Sequence, residues 1–200
     1  MSNKTAFQRV TDFCKAFGQE VKTEVDPEVY EKNPKLIKLR LDLIREESSE
    51  LEDACKAHDM VETIDALADN EYVIEGMGVQ LGIDLDQEYD KIHANDLVDL
   101  SKLVPNSDLF TKNTDLVHEC IGNINDSIRD LEQACKDRNV AATTKALVDI
   151  RYVNREVASK FNIDLDRAFD LVHDSNMTKL CTSEQEAKDT VGWYEKEYAE

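Results

Sequence analysis

Six acidic side chains stand at spacings that a helix turns into faces: Glu46, Glu47 and Glu50 in one run, then Glu62, Asp65 and Asp69 in the next. At about 100° per residue, Glu47 and Glu50 lie beside the apolar stripe of their helix, and Glu62, Asp65 and Asp69 fall within about 60° of one another. Stacked like charges cost about 0.2 to 0.5 kcal/mol per exposed pair, and more when partly buried, unless a cation is bound. Hard carboxylate oxygens suit Mg²⁺ or Mn²⁺. Glu47, Glu50, Glu62 and Asp65 are therefore candidate metal ligands, with Asp69 either a further ligand or a structural acid. A solvated acidic face is the competing reading. With 43 acidic residues in 200, i, i+3 acidic pairs arise by chance at roughly one position in twenty. Glu62 has a second explanation, since it stands three residues after Asp59 as in a capping box.

The elements that must carry these acids read as helices. Ile37, Leu41, Ile44, Ser48, Leu51 and Cys55 form a stripe at spacings of three and four, and Val117, Ile121, Ile124, Ile128, Leu131 and Cys135 form another. Pro34 suits a first helical turn. A break near His58 is followed by a helix capped by Asp59, closed by Gly82, and then by a helix from about Leu85 that is expected to turn Tyr89 and Ile92 inward. Asn139 caps the counterpart of the Asp59 helix. Phe7, Val10, Phe13 and Phe17 mark an N-terminal amphipathic helix, and Ser183 with Glu186 predicts a last helix bearing Trp193. No segment reads as strand.

Sliding the chain by 80 positions pairs ELEDACK with DLEQACK and GIDLDQEYDKIH with NIDLDRAFDLVH without a gap. From Leu51 to Leu100 against Leu131 to Leu180, 18 of 50 pairs are identical, where about 3 are expected between unrelated sequences. The expectation is an all-α protein of two tandem-duplicated helical units, residues 1–103 and 106–200, packed as a pseudo-dimeric bundle about a twofold axis.

The second copy is an internal control. Glu46, Glu47 and Glu50 become Asp126, Ser127 and Asp130, Glu62 becomes Ala142, Asp65 becomes Lys145 and Ser48 becomes Ile128, while Asp69 persists as Asp149. That copy keeps the packing pattern and loses the acids. Conversely, it carries Asn176 and Lys179, an amide and an ammonium suited to a base or phosphate, where the first copy has Asp96 and Asp99. A solvated surface role is the competing reading of Lys179. The reciprocal loss predicts one composite site per chain, with acids from the first copy and substrate-binding Asn176 and Lys179 from the second. His93 and His173, at matching positions, are expected to be structural.

Composition narrows the partners. A formal charge of -19 repels nucleic acid and anionic membranes. Five scattered cysteines without CxxC spacing suggest neither a disulfide framework nor a zinc site, and no segment is apolar enough to span a bilayer. The expectation is a cytoplasmic protein, as a monomer or a homodimer of pseudo-dimeric chains.

The run REESSELEDA followed by VETIDALADNEYV resembles the all-α nucleoside triphosphate pyrophosphohydrolases: MazG, phosphoribosyl-ATP pyrophosphohydrolase and the all-α dUTPases. Their ExxE and ExxD signature falls on Glu47 and Glu50, then Glu62 and Asp65. The SNMTKL run at 175–180 and the CTSEQEA after it look like the phosphoribosyl-ATP pyrophosphohydrolase-like proteins of phages and large viruses. The gap between the two acidic pairs is at the short end of the family's range. The resemblance implies Mg²⁺- or Mn²⁺-dependent cleavage of a nucleoside triphosphate, or a phosphoribosyl-ATP-like nucleotide, to monophosphate and pyrophosphate, with Glu46 or Glu47 orienting the attacking water. The alternatives are a catalytically inactive helical interaction module and a strict dUTPase.

Overall fold

The computed structural model describes residues 4–93 and 104–180. Asp96, Asp99, Cys181 and the expected last helix with Ser183, Glu186 and Trp193 lie outside the described residues.

The described residues are all-α: α1 (Ala6–Ala16), α2 (Val29–Lys32), α3 (Pro34–Ala57), α4 (Met60–Leu81), α5 (Leu85–His93), α6 (Leu109–Lys112), α7 (Thr114–Lys136), α8 (Val140–Phe161) and α9 (Leu165–Thr178). Local chemistry sets the boundaries. Pro34 occupies the first turn of α3 while the Asn33 side chain accepts from the Leu36 amide. The helix stops at His58, whose left-handed φ of 59° turns the chain. Asp59 then caps α4 by accepting from the amides of Val61 and Glu62, so half of the expected capping box forms. Asn139 caps α8 in the same way through the Ala142 amide. Gly82 ends α4 at φ 74°, where a Cβ would overlap the Glu24 carbonyl. Only glycine fits that combination of positive φ and close backbone approach.

Helix bounds recur at the offset seen in the sequence: Val29–Lys32 against Leu109–Lys112, and Met60–Leu81 against Val140–Phe161. α3 packs on α4 and α7 on α8, and the two pairs meet through α3 with α7 and α4 with α8. α4 is also covered by α1 and α9, and it is buried on almost every side along its second half. Ile44, Leu51, Leu67, Ile74, Ile124, Leu131, Leu147 and Ile150 join the two stripes into one core. α5 corrects one expectation: Tyr89 is buried, but Ile92 is 54% exposed. His93 shares Tyr89's face and stacks on Tyr152 at 4.3 Å, which turns Ile92 about 100° away.

Between α4 and α8 the matching positions carry opposite charges. Arg151 lies 3.0 Å from Glu71 and 2.9 Å from Glu75, and reaches Asp86 of α5 at 2.8 Å. Arg155 pairs with Asp166 at 2.9 Å and also faces Glu71. Arg151 thus faces Glu71, Glu75 and Asp86 in the interior while Arg155 faces Glu71 as well, and burial outweighs the pull of Arg151 to push the Glu75 carboxyl up to about 8. A cavity of about 240 Å³ opens beside this cluster, lined by Arg9, Glu71, Arg151 and Arg155.

Candidate active site

The acids sit on two adjacent helices. Glu46, Glu47 and Glu50 lie in the middle of α3, and Glu62, Asp65 and Asp69 in the first half of α4. Glu47 and Asp69 are half-buried, whereas Glu46, Glu50, Glu62 and Asp65 are exposed. Burial, and then the charges of Asp69, Glu50, Glu46 and Asp65, push the Glu47 carboxyl up to about 7. Burial, then Asp65 and Glu50, raise Asp69 to about 6 against the pull of Lys179. The fold therefore brings Glu46, Glu47, Glu50, Asp65 and Asp69 into one negative field. Glu62 is not among the charges acting on Asp69. About two turns nearer the start of α4, its backbone amide serves the Asp59 cap.

The second half treats its acids differently. There Asp149 is paired with Lys145 and Asp126 with Arg129. No ion pair between described residues reaches any of the six acids of the first half. Among the described residues, no three His, Cys, Asp or Glu side chains stand close enough together to hold an ion as they are. The donor chemistry fits a hard divalent cation nonetheless. Carboxylates of α3 and α4 act on one another electrostatically, none of the six is ion-paired to another described residue, and such hard oxygen donors are those a divalent cation takes.

α9 brings the second half of the chain to this face. Tyr72 lies one turn beyond Asp69 on α4, and its hydroxyl is 3.1 Å from Nδ1 of His173. The Asn176 side chain lies close enough to the same hydroxyl to favour its ionised form. Lys179 in turn donates to Asn176 Oδ1 at 2.8 Å. Phe13 meets the Tyr72 ring edge-on, with centroids 5.6 Å apart, and Phe169 packs at 5.4 Å. The Tyr72 hub thus anchors α9 on α4, and Lys179 at the end of α9 acts electrostatically on Asp69. Burial, then the charge of Arg9, lowers the His173 pKa, which suits a neutral acceptor for the tyrosine. Sequence reasoning missed Tyr72. Its only signal was its recurrence as Tyr152 in the second half.

An all-helical fold with carboxylates on paired helices defines the class. The model of the phosphoribosyl-ATP pyrophosphohydrolase family matches residues 10–96, a span that begins within α1, holds α2 through α5 and includes all six acids. A protein of Acanthamoeba polyphaga mimivirus, described as uncharacterized, is 34% identical over 200 residues, covering 95% of this chain and 77% of its own length. No solved structure matches the chain significantly. The chain belongs to the all-α nucleoside triphosphate pyrophosphohydrolase superfamily, through its phosphoribosyl-ATP pyrophosphohydrolase branch.

Proposed function

We propose that the protein is a divalent-metal-dependent nucleotide pyrophosphohydrolase that cleaves a nucleoside triphosphate, or a phosphoribosyl-ATP-like nucleotide, to the monophosphate and pyrophosphate. The observation that carries the reading is Glu47: half-buried, surrounded by carboxylates, pushed up to about 7, and located within the family-matched span. Such a group is unfavourable in isolation and becomes useful when a cation is shared.

Glu47, Glu50, Asp65 and Asp69 would hold Mg²⁺ or Mn²⁺, with Glu62 as an outlying ligand. Bound there, the metal supplies charge neutralisation for the polyphosphate. Glu46 and Glu47 are the candidates for orienting the attacking water and taking its proton. Glu47 is the more enclosed and the better ligand, which leaves the exposed Glu46 to accept that proton. Lys179 offers an ammonium to the phosphates, and Asn176, which accepts from Lys179 through its Oδ1, offers its amide N–H to base or phosphate. Each chain then has one composite site. The protein would work in the cytoplasm, as a single pseudo-dimeric chain or a homodimer of such chains.

Pyrophosphate release should be measured over canonical and damaged nucleoside triphosphates with Mg²⁺ and Mn²⁺. Metal-dependent release that Glu50→Gln abolishes supports the reading. An inactive helical module is favoured if neither metal binding nor turnover is found, and turnover confined to dUTP identifies a strict dUTPase.

A further inference from the structure

A row of buried polar side chains links the acidic helices to the opposite half of the fold. Ser48 on α3 is buried and its hydroxyl donates to the Ile44 carbonyl at 2.7 Å. The same oxygen accepts from the Asn70 amide of α4 at 2.6 Å. Asn70 Oδ1 accepts in turn from the Asn154 amide of α8 at 3.2 Å. Asn70 and Asn154 are fully buried and Ser48 is 5% exposed. Ser48 directly follows Glu47, and Asn70 directly follows Asp69.

The matching positions in the other half, 80 residues away, are Ile128, Ile150 and Ile74. All three are buried in the common core. The architecture therefore accommodates apolar side chains at these positions, and replacing paired buried polar groups by apolar ones of similar shape is close to neutral for stability. The polar version nevertheless occurs where Glu47 and Asp69 are present, and the apolar version where the sequence has Ser127 and an ion-paired Asp149. Directional hydrogen bonds fix the rotation of α3 against α4 at the level of the two half-buried carboxylates, which interchangeable aliphatic contacts do not.

We infer that Ser48, Asn70 and Asn154 form a positioning relay that sets Glu47 and Asp69 in register across α3 and α4 for a shared divalent cation. The inference rests on the metal-dependent reading above. Residues supporting metal ligands from behind commonly alter affinity by about 10- to 100-fold when changed, and a small displacement of a ligand is enough to do so.

The test uses the full chain and direct Mn²⁺ binding by titration calorimetry, with unfolding measured in parallel. Ser48→Ala removes one oxygen, and Asn154→Leu breaks the relay on α8, away from the acids. Each should weaken Mn²⁺ binding by about tenfold in a cooperatively folded protein, and Ser48→Thr, which keeps the hydroxyl, should restore it. Unchanged affinity in either disruptive variant, or a loss that Ser48→Thr does not rescue, overturns the relay while leaving the enzyme assignment standing. If one variant fails to fold the other decides, and if both fail the row is a stability device and the inference falls. A wild-type protein that neither binds Mn²⁺ nor releases pyrophosphate overturns the functional reading and the relay together.

Discussion

Lys179, at the end of α9, reaches electrostatically into the acidic face of α4: burial and then Asp65 push the Asp69 carboxyl up to about 6, and the Lys179 ammonium works against that rise. The two residues come from opposite halves of the chain. That coupling across the two halves is what the proposed composite site relies on.

Lys179→Ala follows directly. Removing the ammonium should raise KM for the triphosphate by about tenfold, the effect of losing roughly 1.4 kcal/mol of binding. Mn²⁺ affinity, read by calorimetry without substrate, should stay within about twofold. A large loss of metal binding with unchanged KM contradicts the role given to Lys179.

Stability should depend on pH in a direction set by Glu47 and Asp69. Their folded values, about 7 and about 6, lie above the ordinary carboxylate range, so the folded state retains protons that the unfolded chain has lost. The stability this contributes is present below about pH 4 and is lost as pH rises through about 6 to 7. Glu75, raised to about 8, adds to the same trend. Urea unfolding between pH 4 and 8 without metal should show stability falling with pH. A divalent cation should offset the part due to Glu47 and Asp69.

Glu47→Gln keeps the shape and removes the charge. At pH 8 without metal, the variant should be more stable than the wild type by about 1 to 2 kcal/mol, a figure discounted for partial solvation. The difference should vanish near pH 4, and Mn²⁺ binding should be lost. A variant less stable than the wild type at pH 8 would show that Glu47 is held by favourable contacts.

Arg151→Met tests the ion cluster between α4 and α8. It leaves Glu75 and Asp86 without their guanidinium and Glu71 with Arg155 alone, which should cost about 3 to 5 kcal/mol in urea unfolding. Gly82→Ala should cost about 2 kcal/mol or more, because an alanine there takes a strained φ and its methyl meets the Glu24 carbonyl.

The sequence by itself determined the helices that carry the acids and the ends of both, α3 and α4. The stripe from Ile37 to Cys55, the Asp59 cap and the Gly82 stop are local patterns, and the structure forms each of them within a few residues of its own position. The acidic faces were legible for the same reason: helical spacing alone makes Glu47 neighbour Glu50, and Asp65 neighbour Asp69. Tertiary structure decided the rest. It made Glu47 and Asp69 the half-buried pair and left Glu62 at the cap, since depth depends on which helix packs against which. It joined Tyr72 to His173, Arg151 to Glu71, Ser48 to Asn70, and Asn70 to Asn154. These partners lie far apart along the chain, and a periodicity confined to one helix carries no information about the side chains that another helix presents to it.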